Sequence, residues 1–305
     1  GDYLTRIYIL LALIMLIWGF NLSALAVLVK NVEPITLTSF RIFIAGISVL
    51  IITKIMGLFR FPTKNEWKTI AIITIFNVAM HHTFLAIGLT KTSGANASII
   101  LGGAPLVTML FAILLLRQHI SKLRMLGFFI GFIGIVTTSL ASGDGLSSFS
   151  SGDIFIFLSM AMQAFSFILI SKLNPTFDPR LLTGYMLVVG AVFIFTVSFF
   201  IERDVGQITK LFEPKLGSIF LFSAIIATAF GHMVYNYAVK HVGPTETAIF
   251  VNLNTFFALF GTVLFLGETL YKGHYIGLAL IVIGVFVGSG TVDYVWRRRR
   301  GKRAY

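Results

Sequence analysis

The side chains most able to do chemistry are three histidines set in apolar sequence: His81 and His82 in one long run, and His232 in another. Imidazole donates, accepts and titrates near neutral pH, so it suits a proton or substrate site. Adjacent residues of a helix point ~100° apart, so one of His81 and His82 is expected to share a site with His232 and the other to point elsewhere. More polar groups fall on the same helical faces. Asn77 precedes His81 by one turn, Tyr235 and Asn236 follow His232 by one turn, Gln163 sits in a third apolar run and Asn252 in a fourth. Serines and threonines at such positions are satisfied by bonds between helices. The amides of Asn77, Gln163 and Asn252 need several partners and point more strongly to a polar cavity. Among the aromatic residues, Trp18 and Tyr235 share turns with polar side chains and are the best candidates to wall a ligand.

The absences also restrict the chemistry. All 12 carboxylates, from Asp2 to Asp293, lie at or beyond the ends of the apolar runs, so no acid stands beside the histidines for hydrolytic work or proton coupling. No His-Glu-x-x-His or Gly-x-Ser-x-Gly occurs, and with 0 cysteines there is no thiolate chemistry. No enzymatic activity, cofactor or metal is expected.

The elements that position these groups are membrane spans. The chain is 57% hydrophobic and 12% charged over 305 residues, against about a quarter charged in soluble domains. Its apolar residues form blocks of ~20, enough to cross ~30 Å of hydrocarbon as helix, without the alternation of a β-barrel. Ten spans are expected, at 6–29, 35–57, 67–90, 94–117, 121–141, 152–173, 180–201, 216–240, 244–266 and 271–293. The first is too long for a cleaved signal peptide. With both termini in the cytoplasm, inner connections and ends hold 17 Lys and Arg and outer ones 6, which favours that orientation in the cell inner membrane. The net charge of +12 is mostly this asymmetry plus the Arg297–Arg303 tail, which suits anionic lipid headgroups rather than nucleic acid.

The Gly/Ser-rich connection near 141–152 divides the spans into two sets of five. We therefore place a first repeat at 1–145, a second at 146–296 and a basic cytoplasmic tail at 297–305. The halves echo each other. Lys91 and Gly94 match Lys240 and Gly243 at a separation of 149, while Leu114, Leu116, Gly127, Ile133, Gly134 and Ser139 match Leu264, Leu266, Gly277, Ile283, Gly284 and Ser289 at 150. Five spans per half invert the second repeat, which puts a substrate site near the midplane between the halves. Pro105, near Gly102 and Gly103, interrupts the fourth span and marks a candidate gate. Gly127, Gly131 and Gly134, and Gly277, Gly284 and Gly288, form small-residue faces for close helix packing, within a monomer or across a homodimer.

Trp18-Gly19, Pro34, Arg41 and Pro105, then Gly267-Glu268 closing the ninth span and Gly277 and Gly284 in the tenth, together resemble the drug/metabolite transporter superfamily, in particular its EamA-type branch. The sequence departs from the family pattern at Arg117-Gln118-His119, where Gln118 holds the place of a usual Glu, and at Thr255, where Pro105 would repeat. The resemblance implies an all-α membrane protein of ten helices in two inverted five-helix repeats, working as a secondary carrier by alternating access. Its substrate would be an amino acid or related small metabolite, usually exported; organic cations or drugs are the alternative, weakened by the missing buried acid. The resemblance also places an Arg at position 41 irrespective of substrate, so a structural role is expected for Arg41. Snorkelling to the outer interface or pairing with a substrate carboxylate are the other roles open to it.

Overall fold

The computed structural model describes residues 2–141 and 148–303. The expected division between repeats at 145/146 lies outside the described residues. The described chain is helical: α1 (Asp2–Leu28), α2 (Pro34–Ile55), α3 (Lys64–Leu89), α4 (Gly94–Gly102 and Ala104–Leu116), α5 (Lys122–Ala141), α6 (Ser151–Ser171), α7 (Pro179–Ile201), α8 (Pro214–Val242), α9 (Pro244–Leu266), α10 (Lys272–Gly288) and α11 (Thr291–Arg303). Nine of these are long and apolar enough to span a membrane, and α10 with α11, bent by 49°, makes the tenth. The unbroken helix of this span ends at Gly288, short of the expected end at 293. Gly290, at φ +87°, breaks the helix after Gly288, and the basic tail continues as α11.

Local chemistry sets the ends. Proline opens α2, α7, α8 and α9, where its missing N–H costs no helical bond. Thr63 and Glu66 form a capping box on α3, with Glu66 N–H donating to Thr63 Oγ1 at 3.3 Å and Thr63 N–H to Glu66 Oε1 at 2.8 Å. Glu202, at the end of α7, accepts from the backbone N–H groups of Ile35 (3.0 Å) and Thr36 (2.6 Å), so the first turn of α2 is held by the other half.

The two halves interlock. α1 packs on α8 and α9 of the second half, and α6 packs on α3 and α4 of the first. α2 lies along α7, and α5 along α10. The glycine faces meet each other in this last pair. A Cβ added to Gly134 would lie 2.8 Å from the Gly277 carbonyl oxygen, and one added to Gly284 would lie 2.6 Å from the Gly131 nitrogen. These faces are therefore covered within the chain, as small-residue packing requires. Helix starts at 64 and 122 recur at 214 and 272, which carries the sequence separation of 150 into the fold.

Two helices depart from α geometry at corresponding depths. α3 contains a π-helical stretch at Ile75–Ala79, and α8 contains one at Phe222–Phe230. Such stretches hold one extra residue per turn and are frequent at functional sites.

Candidate functional site

A cavity of about 280 Å³ lies between the halves, lined by Trp18, Asn21 and Leu22 of α1, Arg41 of α2, His81 and His82 of α3, Gln163 and Phe167 of α6, Ala227, Thr228, His232 and Tyr235 of α8, and Val251 and Asn254 of α9. Every one of these helices contributes because the π-helical stretches turn His82 and His232, residues related by the separation of 150, into the same space. A larger groove of about 900 Å³ opens at the end of the bundle around Arg60, Glu66 and Lys172. It is walled by the Arg60–Glu66 ion pair (2.6 Å) and lies away from the histidines.

Trp18 fixes one wall. Its Nε1–H donates to the Ala227 carbonyl at 2.7 Å, and its ring lies 5.2 Å from His232 and 5.5 Å from Tyr235. Tyr235 in turn meets Phe167 at 4.9 Å. Gly231 lets the indole in, since a Cβ there would collide with Trp18 Nε1. Arg41 reaches the next residue of α8, where its Nη1–H donates to Thr228 Oγ1 at 2.8 Å and that hydroxyl donates to the Ser223 carbonyl five residues back at 2.7 Å. No carboxylate pairs with Arg41 among the described residues. His81 is held, with Nδ1 3.0 Å from the Ser159 carbonyl oxygen and 2.9 Å from Ser159 Oγ. His82, 4.8 Å from His81 between ring centres, and His232 make no hydrogen bond within the described residues, so both present free ring nitrogens.

The placements differ from expectation in several respects. Trp18, His82, Gln163, His232 and Tyr235 come together at the cavity, and His81 lines it too rather than pointing elsewhere. Asn77, Asn236 and Asn252 do not line it. Asn77 Nδ2–H donates to Ser166 Oγ at 2.9 Å, and Asn236 Nδ2–H to Thr183 Oγ1 at 2.9 Å, so both join neighbouring helices. Asn252 faces Gly131 of α5. Residues two apart on a helix are ~200° apart, so Asn254 takes the inward place that the sequence pattern gave to Asn252. Arg41, expected to be structural, does line the cavity. Asn21 was legible as the i+3 neighbour of Trp18, whereas Asn254 follows a 3₁₀ turn at Ile249–Val251 that rotates α9 and leaves no trace in the pattern. Pro105 is buried where α4 breaks at Gly103, and Gly102 packs on Ile135 of α5.

The cavity is closed toward the end carrying both chain termini. There Tyr235 and Phe250 are buried, Tyr8 meets Phe250 at 5.0 Å, and Glu246 at the start of α9 accepts from Gln118 Nε2 and Arg124 Nη2 at 3.1 Å each. Toward the opposite end no residue is buried over His82–Ile87, Ile99–Ala104 or Leu253–Leu259. These three stretches are partly covered, whereas the end that carries the termini is closed by the buried residues above.

Residues 5–140 and 150–289 each match the EamA-like transporter family, one match per half. The chain belongs to the EamA-like transporter family. Similar proteins include an uncharacterized transporter of Bacillus subtilis, YyaM, 25% identical and aligned over 94% of each chain. An uncharacterized transporter of Archaeoglobus fulgidus is 26% identical over 92% of this chain and 97% of its own. A WAT1-related chloroplast protein of Arabidopsis thaliana is 23% identical over 88% of this chain and 66% of its own. A solved crystal structure superposes with a TM-score of 0.73 at 16% identity, covering 93% of this chain and 98% of that one, a likeness of fold. The EamA pattern of two repeats thus accounts for the paired π-helical stretches and for a cavity built from both halves.

Proposed function

We propose that this transporter exports amino acids or related small metabolites across the cytoplasmic membrane by alternating access, with both termini in the cytoplasm. The supporting observation is the cavity itself. It sits between repeats of an EamA-family fold, is covered more fully toward the termini than toward the opposite end, and carries unbonded imidazoles at His82 and His232 beside Arg41 and Gln163. The Arg297–Arg303 segment then lies at the inner leaflet, where anionic headgroups attract basic residues.

A second reading, a carrier of organic cations, draws on the Trp18, Tyr235 and Phe167 rings, which suit a cationic ligand. Arg41 in the same cavity, with no carboxylate beside it, counts against that reading. Thermal stability of the purified protein against amino acids, organic cations, nucleosides and sugar phosphates separates the two. A ligand at ~100 times its dissociation constant adds roughly 2.7 kcal/mol to the folded state. Stabilisation by amino acids that disappears in His232→Ala supports the first reading. Stabilisation by organic cations alone supports the second. Saturable uptake into proteoliposomes then identifies a carrier, and flux without saturation would indicate a channel instead.

A further inference from the structure

Arg41 is the one charged side chain lining the cavity. Guanidinium carries five N–H donors and stays protonated. One donor is used on Thr228, and Nε is buried without a partner. No acid among the described residues neutralises the charge. An unpaired charge at membrane depth is costly and is kept where a ligand uses it. On the facing helices, the side-chain oxygens of Asn21 and Asn254 are likewise buried without a partner, and neither amide makes a hydrogen bond within the described residues. Turning either amide over leaves its other half unmet, so each still needs a ligand group.

We propose that Arg41 binds the carboxylate of the substrate while Asn21 and Asn254 receive its polar N–H group, so that the cavity takes zwitterionic monocarboxylates. The proposal rests on the cavity being the substrate site, as in the reading above, and deepens it by assigning the recognised groups. A planar guanidinium matches a carboxylate in bidentate geometry. A single cation with no lysine beside it suits one negative charge rather than a phosphate dianion. The neutral amide oxygens accept from an ammonium without competing with Arg41 for the carboxylate. Trp18 and Tyr235 then face the rest of the ligand, which favours an apolar or aromatic side chain. The second repeat has no equivalent of Arg41. Counted from the prolines that open α2 and α7, Pro34 and Pro179, its counterpart is Met186, an uncharged buried side chain. The ligand is therefore held in one orientation despite the pseudo-symmetry of the site.

The test is a thermal-shift titration of the full chain in detergent with the twenty amino acids. Each amino acid that shifts the protein is compared with its carboxamide, its decarboxylated amine and its deaminated acid. A site built on a polar contact rejects analogues lacking it by large factors, so we expect removal of the carboxylate to weaken binding at least about 100-fold and removal of the amine about tenfold. Arg41→Gln is expected to abolish the preference for the acid over its carboxamide, and Arg41→Lys to keep part of it, because lysine retains charge without the fork. Should Arg41→Gln not fold, Thr228→Ala leaves the charge and removes its anchor, and is expected to weaken the carboxylate ligand while leaving the amine unchanged. Amines binding within threefold of their parent amino acids would overturn the proposal, as would an unchanged acid preference in Arg41→Gln. Shifts by organic cations alone would overturn it while leaving the carrier reading standing. Shifts by deaminated acids but no amino acid would keep Arg41 as the anion partner and overturn both the ammonium assignment and amino acid export. No shift from any compound would overturn the proposal and the substrate-site reading together.

Discussion

The π-helical stretches of α3 and α8 are the same backbone device in two copies, and the protein uses them in opposite ways. Residues 75–79 of the first repeat correspond to 225–229 of the second at the separation of 150, inside Phe222–Phe230. In α3 two polar side chains near the stretch are bonded to α6, Asn77 to Ser166 and His81 to Ser159, and His82 is left to the cavity. In α8 the stretch frees backbone and side chain toward the cavity. Ala227 offers its carbonyl to Trp18, Thr228 accepts from Arg41, and His232 makes no hydrogen bond among the described residues. One repeat thus uses its irregular turn to bind two helices together, and the other uses it to build a polar surface. Pseudo-symmetry supplies the frame, and its local breaking supplies the site.

The comparison makes opposite predictions for two histidines at the same depth. His232→Ala should cause the largest functional loss, since the site loses a ligand-facing polar group. A hydrogen bond of about 1–3 kcal/mol corresponds to roughly 10- to 100-fold in affinity. Its effect on stability should be small, because His232 satisfies no protein group. His81→Ala should do the reverse. It removes the imidazole contacts to the Ser159 carbonyl and hydroxyl in a buried position while Ser159 Oγ–H keeps donating to the backbone carbonyl of residue 81, at a cost of about 1 kcal/mol, with transport per folded molecule little changed. Proteoliposome uptake and denaturation of both variants in parallel decide the matter. Equal transport losses would end the contrast between the two stretches.

A smaller effect sharpens the same contrast. Asn77→Ala removes one bond to Ser166 and should destabilise by about 1 kcal/mol without altering ligand affinity, measured by denaturation and by ligand titration. A changed affinity would place Asn77 in the site after all. Pro105→Ala restores a hydrogen-bonding position next to the break of α4 at Gly103, and should slow turnover a few-fold while leaving equilibrium binding intact. Unchanged turnover, measured as exchange against binding in one preparation, would remove α4 as a moving element.

Much of the frame was legible because its causes are one-dimensional. Hydrocarbon thickness sets run length, and duplication sets the separation of 150, so the spans and the meeting of His232 with one of His81 and His82 could be read directly. What escaped depends on rotation about helix axes. A π-helical stretch or a 3₁₀ turn shifts the register of everything after it, and no residue type announces one. That is why Asn254 lines the cavity in place of Asn252. Asn77 and Asn236 were misplaced for a different reason: a buried amide fits a helix contact and a cavity equally well until its neighbours, here Ser166 and Thr183, are known. Arg41 was legible as a residue and not as a role, because only the structure shows that no acid stands beside it.

The smallest expected effect lies at another pair of repeat-related positions. α4 and α9 both end in a left-handed residue, Arg117 at φ +52° and Gly267 at φ +67°. Glycine adopts this conformation freely, whereas a side chain adds a contact with the following carbonyl. The first repeat therefore keeps a strained residue where the second has none. Arg117 itself makes no hydrogen bond or ion pair among the described residues, while its neighbour Gln118 ties the turn to Glu246 and accepts from Thr245 Oγ1 at 3.0 Å. The left-handed turn is closed in both repeats by the same backbone bond, Gln118 N–H to the Ala112 carbonyl and Glu268 N–H to the Thr262 carbonyl at 3.2 Å each, and in the first repeat the side chain of Gln118 adds a second hold on it. Arg117→Gly should stabilise the protein by about 0.5–1 kcal/mol, the relief of left-handed strain less the extra freedom of glycine in the unfolded chain. Gln118→Ala should destabilise it by about 1 kcal/mol, leaving Thr245 without its acceptor. In the double variant the gain from glycine should shrink, because a turn released by the loss of Gln118 can relax away from the left-handed region. A denaturation cycle over the four proteins measures that coupling, and strict additivity would show that the backbone bond alone holds the turn.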